Sequence, residues 1–496
     1  MKVLNYNLFL RFNLSIGLIY FYSCTSHQSE MQCGWNTPFP VMGTLSSPRC
    51  VDLNADGVLD VVIGAGNLEY TSCDQGVIAM DGKLGNILWA VSSTDQIVGS
   101  PSFVDIDQDG TQDVIIGGRS KNMMAINGKD GKVFWRYKLQ SQGFDPKAYA
   151  RFNFFNCQII DDVNQDGVSD ILAANGGNAK ALPNSMVDRH PGTLMILDSK
   201  TGTILSIDTM PDGLENYCSP LLHKVNGKQY IIYGTGGETC GGNMYRVALD
   251  SLKSNSLKSS KKLAHSEYEG FIAPPSLVDL NLDGVEDIIF SSHDGKITAI
   301  NGSDDLILWT RNMKDLECNN MLVPGNFNGD RIPDLFGFFT KGNWPENHGV
   351  QEFVLDGNNG EILHLDSAGD VGFSSPVVFQ MDNDPEDEVL MQINFSSGKG
   401  KLDYENQKEQ LIIYDFPRFN KIAVDSLLKF KNISTTPWIG DLDQNGKLDI
   451  ITCYLKNTYK VDEVNGMFIS RICTPWMATP VLWGAYMGNQ GDCKIH

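Results

Sequence analysis

The feature that most constrains this 496-residue chain is an acidic nonapeptide that recurs along it, each time running into a short β-branched stretch. In the segment 104–118, VDIDQDGTQDVIIGG, Asp105, Asp107, Asp109 and Asp113 fall at positions 1, 3, 5 and 9, and Gly110 at position 6. Carboxylates at alternate positions of a tight turn converge on one point. Their repulsion calls for a cation there, and hard oxygens in a flexible loop suit Ca²⁺. One copy alone reads equally well as a solvated acidic turn, but the chain carries seven. The others are Asp52, Asn54, Asp56 and Asp60; Asp162, Asn164, Asp166 and Asp170; and Asp279, Asn281, Asp283 and Asp287. Two are weaker: Asn326, Asn328, Asp330 and Asp334, with Arg331 in the Gly position, and Gln380, Asp382, Asp384 and Glu388, with Pro385 there. The last is Asp441, Asp443, Asn445 and Asp449.

An EF-hand shares this opening but requires a bidentate Glu at position 12 and flanking helices. Position 12 is Ile63, Ile116 and Phe290 in three copies, and flanks such as DVIIGG read as strands. These are strand–loop–strand sites, and filling all of them would take up to seven structural Ca²⁺.

The loops begin 47 to 61 residues apart, with one gap of 117 that holds an acid-poor unit around Ser219 and Gln229. Eight units of this period mean a propeller or a solenoid. Behind the loops comes a second signature, AMDGKLGNILW ending at Trp89 and AINGKDGKVFW ending at Trp135, with a cognate ending at Trp309. It is a hairpin whose Gly, Asn and Asp supply positive φ, and its Trp is placed to pack between neighbouring sheets. Each unit then supplies four strands, A to D. The expected fold is all-β, a β-propeller of eight four-stranded blades with the ring closed by the termini. Repeats start near residues 48, 100, 157, 219, 274, 321, 375 and 436 in one domain over 33–496. Thr479-Pro480-Val481-Leu482 looks like a further strand-A start through which the termini would share a blade.

The D-x-[DN]-x-D-G-x-x-D loops and DVVIGAG-type strands resemble the FG-GAP/VCBS repeats of integrin α-subunit propellers and many bacterial surface proteins. The A-x-D-G-x-x-G-x-x-x-W hairpins resemble the blades of quinoprotein-like propellers. The resemblance spans 33–496 and implies the fold and the calcium loops. It leaves activity open, because propellers host many unrelated functions.

At the N-terminus, Lys2 and Arg11 precede an apolar run over 14–22, short of the ~20 residues a spanning helix needs. It reads as a signal peptide over 1–23. Phe21-Tyr22-Ser23-Cys24 resembles a relaxed bacterial lipobox, with Cys24 lipidated and 24–32 a short tether; Phe21 and Tyr22 depart from its usual pattern, and an ordinary signal peptide is the alternative. The expected location is the cell envelope, at the outer membrane, with the lipid anchor as the only membrane contact. Ten further cysteines would pair in an oxidising compartment. The sequence leaves their connectivity open; local pairs such as Cys50 with Cys73, Cys218 with Cys240 and Cys453 with Cys473 would each staple one repeat. Much of the net charge of −21 lies in the loops, and no basic patch speaks for nucleic acid.

In such a fold the A–B loops and C–D hairpins share one face, while the B–C and D–A connections share the other. The long insertions fall in the second set, at 140–156, 175–192, 235–243, 341–351 and 394–410, whereas the Ser/Lys-rich 252–265 reads as a flexible loop. Long loops on a rigid scaffold are where binding concentrates. These carry Tyr149, Arg151, Arg189, His190, Trp344, His348 and Tyr404, residue types suited to a glycan or protein ligand. The expected role is a non-catalytic binding module. The alternatives are a polysaccharide lyase using His190 or Arg189, a quinoprotein dehydrogenase, and an envelope assembly scaffold.

Overall fold

The computed structural model describes residues 33–496 except 140–148, 179, 183–184, 343–346, 371, 383, 397–405, 427, 458–463 and 480. It divides into Met1–Cys33, of which only Cys33 is described, and Gly34–His496. The signal segment, the tether, Cys24, Trp344 and Tyr404 lie outside the described residues.

Gly34–His496 is an eight-bladed propeller of antiparallel four-stranded sheets. Blade 2 shows the plan: Ser102–Val104, Asp113–Gly117, Met123–Ile126 and Val133–Arg136 run from axis to rim as strands A to D. Strand B is buried along its whole length, DVIIG, because sheets pack against both of its faces. Blades 3 and 6 carry an extra two-residue strand each, Asn153–Phe154 and Leu316–Glu317.

The hairpins and tryptophans join the blades. Trp89 Nε1 of blade 1 donates to Gly128 O in the blade 2 hairpin, and Trp135 and Trp309 reach Ser199 O and Gly357 O in the same way. Each ring lies where a Cβ on the following hairpin's glycine would stand: Gly131 under Trp89, Gly202 under Trp135, Gly360 under Trp309. Those glycines have φ near +70°, so two demands coincide at one residue, a left-handed turn and room for an indole.

The ring closes by the same device. Trp35–Phe39 pairs with Met467–Met477 as strand D of blade 8, beside Lys447–Leu455 and Trp438–Gly440. Trp35 Nε1 then donates to Gly82 O of blade 1. The C-terminal tail takes no part in that sheet, contrary to the expectation from Thr479-Pro480. It crosses the axis against inner-strand edges that the ring leaves unpaired. Val378 and Trp483 exchange backbone bonds at 3.0 Å, Ile439 N donates to Gly484 O, and Leu277 N to Cys493 O. Arg49 donates to Gly488 O and Gln158 to Gly491 O. Trp483 is fully buried in the largest core cluster.

Two further expectations need correction. Residues 252–265 are not a flexible D–A loop. They lie inside blade 4, between strands C and D, where Leu249–Lys253 forms a short helix and Lys261–Ser266 the outer strand. Burial of Leu249, Leu252 and Leu257 fixes the insertion. None of the expected cysteine pairs exists: Cys50, Cys73, Cys218, Cys240 and Cys453 are free thiols, and Cys33 and Cys473 carry the disulfide. Cys50 in strand A is in register with Val61 and through it with Met80, seven residues along strand C from Cys73, so about 20 Å of strand in addition to the width of strand B puts the pair beyond disulfide reach. Cys453 pairs with Ile469, four residues along from Cys473.

Candidate functional site

The acidic loops and the C–D hairpins do share one face, and position 9 shows why. Asp113 is buried; its Oδ2 accepts from Ile106 N at 2.8 Å and its Oδ1 from Gly128 N at 2.9 Å. One carboxylate thus ties the loop to the hairpin of its own blade. Asp60 and Asp287 make the same two bonds. Burial pushes the Asp60 and Asp113 carboxyls up to about 6, against the pull of those bonds. Position 1 holds the turn shut, with both oxygens of Asp105 accepting from Asp109 N and Gly110 N. The residues at positions 4 and 6, Gln108 and Gly110, have φ of 58° and 91°.

The loops differ in the charges that already surround their carboxylates. Oxygens of Asp105, Asp107 and Asp113 lie within 4.8 Å of one another. In the loop from Asp162, Lys200 Nζ stands 3.3 Å from Asp166 Oδ1. In the loop from Asp441 the positive charge is built in: Arg471, buried, donates to Asp443 Oδ2 at 2.6 Å and to both oxygens of Asp449 at 3.0 and 3.1 Å. The two weak loops bind each other, since Asn326 N donates to Asp387 Oδ2 and Asn326 Nδ2 to Pro385 O. There Gly329, at position 4 and φ of 80°, makes the turn that Arg331 cannot. Asp415 of the next hairpin joins Asp382 and Glu388 within the same 4.8 Å.

The opposite face opens into a funnel of about 540 Å³ on the axis, within the range of ligand pockets. Leu45, Val98, Phe155, Tyr217, Ile272 and Phe373 line it, each from a different D–A connection, and Tyr486 of the tail joins them. On the far side of the tail is a second cavity of about 500 Å³, polar, with Arg49, His223 and Asp492 in its wall. The tail is therefore a septum across the channel. Leu45, Val98, Tyr217, Ile272 and Phe373 each stand three residues before a strand-A Pro, at Pro48, Pro101, Pro220, Pro275 and Pro376. That spacing recurs in the sequence, but these residues lie in short connections rather than in the long insertions.

The funnel's rim charges are satisfied internally. Arg119 pairs with Glu69 at 2.7 Å. Arg189, expected to meet a ligand, has a side chain only 3% exposed and donates to Glu215 Oε1 at 2.7 Å, Tyr217 OH at 3.0 Å and Thr239 Oγ1 at 3.0 Å. It pins the long loop of blade 3 onto blade 4. His190 stacks on Tyr149 at 5.5 Å and on Phe152 at 5.6 Å, with the Arg151 guanidinium 5.1 Å from the Phe152 ring. This stack is separate from the funnel lining. His348 is exposed in blade 6.

The family profile of the FAM234A/B beta-propeller matches residues 35–270. A search of curated proteins returns no match. Among solved structures, a europium-containing methanol dehydrogenase superposes with a TM-score of 0.53 at 9% identity, covering 89% of this chain and 93% of the other. Quinohemoprotein alcohol dehydrogenase from Comamonas testosteroni gives 0.50 at 10% identity over 90% and 77%. BamB from Moraxella catarrhalis gives 0.47 at 11% identity over 88% and 98%. The quinoprotein neighbours accord with the hairpin signature. At these identities the likeness is one of fold.

Proposed function

We propose that the protein is a calcium-stabilised binding propeller whose ligand enters the funnel on the long-loop face. The observation that carries this reading is the apolar ring of Leu45, Val98, Phe155, Tyr217, Ile272 and Phe373 around the axis, backed by Tyr486. With Arg119 and Arg189 already ion-paired, contact energy in the funnel comes from apolar and aromatic surface. This favours a protein segment that inserts an apolar side chain over an acidic glycan, which would call for unpaired cations. The lyase and dehydrogenase readings draw on fold alone.

Calcium belongs most naturally to the loops from Asp52, Asp105 and Asp279. The Asp162 loop has Lys200 in competition, and Arg471 serves in calcium's place at Asp441. Export and lipidation at Cys24 would set the propeller at the envelope with the membrane as anchor only.

The test is a peptide-display library and a glycan array, each probed with the calcium-loaded protein. Peptide hits that weaken at least about tenfold in Tyr217→Ala and Phe373→Ala, but not in His348→Ala, support the funnel; about 1.4 kcal/mol of lost contact gives that factor. Hits on glycans alone would change the ligand class. Hits indifferent to both funnel variants would move the site elsewhere.

A further inference from the structure

A cluster apart from the acidic loops and the funnel lining has the layout of a transition-metal site. His293, in the B–C turn of blade 5, is 1% exposed, and its Nδ1 lies 2.7 Å from Glu269 Oε2 in the connection from blade 4. Its other nitrogen, Nε2, faces Glu317 Oε2 across 4.0 Å. Glu317 lies in the two-residue strand Leu316–Glu317 of blade 6, and its side chain is 5% exposed. Asn347, 1% exposed in the B–C connection of blade 6, donates through Nδ2 to the same Glu317 Oε2 at 2.7 Å. Its carbonyl oxygen Oδ1 is buried without a hydrogen-bond partner.

We propose that His293 Nε2, Glu317 Oε2 and Asn347 Oδ1 bind a divalent first-row metal ion of the zinc class, with Glu269 as the carboxylate that orients the imidazole. Three features point there. The Glu269–His293 bond fixes the ring from behind, which is the arrangement that metal-binding histidines use. The 4.0 Å gap is too long for a hydrogen bond. It matches two ligands of one ion: tetrahedral zinc with bonds near 2.0–2.1 Å sets its donors about 3.4 Å apart, so a closure of about half an ångström suffices. The orphaned Asn347 oxygen, costly to bury unpaired, supplies the third donor.

Mixed imidazole and oxygen donors select zinc-class ions over Ca²⁺, which takes six to eight oxygens. Other mixed clusters already hold a cation: Lys421 sits between Glu352 and Asp366 beside His364, and Arg471 between Asp443 and Asp449. The ion would join the connections of blades 4, 5 and 6 on the long-loop face, stiffening the side of the funnel where the repeat pattern is weakest. It leaves coordination positions for water.

The full chain, stripped of metal and returned to millimolar calcium so that the acidic loops stay filled, is titrated with Zn²⁺ by calorimetry. One equivalent should bind. His293→Gln should abolish it, and Glu269→Gln should weaken it about 10–100-fold. Asp105→Asn with Asp109→Asn should leave it unchanged. Co²⁺ in place of zinc should give visible absorption bands that vanish in His293→Gln. Circular dichroism checks that each variant folds; if His293→Gln does not, Asn347→Ala and Glu269→Gln decide. Wild-type protein that takes up neither Zn²⁺ nor Co²⁺, or binding as tight in the folded variants as in wild type, overturns the proposal.

Discussion

The two faces of the propeller are built on different rules. On the acidic face the same atoms do the same work blade after blade: a position-9 carboxylate bonded to its loop and its hairpin, a glycine under a tryptophan, two left-handed residues in the turn. On the long-loop face the blades share less: the apolar residue before the strand-A Pro, and a hydroxyl next to that Pro that accepts from the neighbouring blade, as Ser100 Oγ does from Ser47 N and Thr436 Oγ1 from Ser375 N. Arg189, the His190 stack and the Glu269–His293–Glu317 cluster each occur once. Repetition marks what holds the ring. The acidic face also varies within itself: a guanidinium neutralises the blade 8 loop, whereas oxygens of Asp105, Asp107 and Asp113 gather within 4.8 Å, the loop proposed for calcium.

The comparison can be attacked in order of expected effect. The strongest test is Trp89→Ala, which removes an indole 7% exposed together with its bond to Gly128 O. It should cost about 3–5 kcal/mol in urea unfolding. A loss below about 1 kcal/mol would mean that the blades do not depend on this dock.

Next is acid. Burial holds His223, on the inner strand of blade 4, down at about 4, so the folded state resists its protonation. A depressed histidine leaves stability intact above the unfolded value of about 6.5 and removes it as pH falls toward 4, by at most about 1.4 kcal/mol per pH unit. His223→Gln should flatten the melting temperature between those limits; an unchanged slope would assign the acid limb to other groups.

Chelation should then lower the melting temperature, since each filled site contributes about 1.4 kcal/mol at ten times its Kd. Asp105→Ala with Asp109→Ala should blunt the response, whereas Asp443→Ala should leave it whole because Arg471 answers that loop. Equal blunting by both would put an ion in blade 8 after all. The smallest effect is expected at Val98→Ala and Ile272→Ala, whose partly exposed side chains line the funnel. A loss within about 0.5 kcal/mol marks them as surface for a ligand; a core-sized loss would make the funnel part of the scaffold.

Much of the scaffold was legible in the sequence because it is local. The nonapeptide, its β-branched sequel and the hairpin behind it lie within about 30 to 40 residues, and eight tandem units of that period can be built only as a closed ring or a stack. Even the closing strand carries its sign: Trp35 holds the place of Trp89 and Trp135, although it precedes the first loop and so escaped the pattern. The candidate site was less legible. Arg189 and His190 have the composition of ligand residues, but their partners Glu215, Thr239 and Phe152 come from other loops, and those contacts turn them into braces.

By itself the sequence determined strand, turn and period, since these follow from residue type at fixed short spacing. Tertiary structure alone decided that the tail crosses the axis, that apolar and aromatic residues from most of the D–A connections face one funnel, and that Glu269, His293, Glu317 and Asn347 meet. The physical reason is the same in each case. A closed ring brings its inner edges and loop ends together at one axis, whatever their separation along the chain.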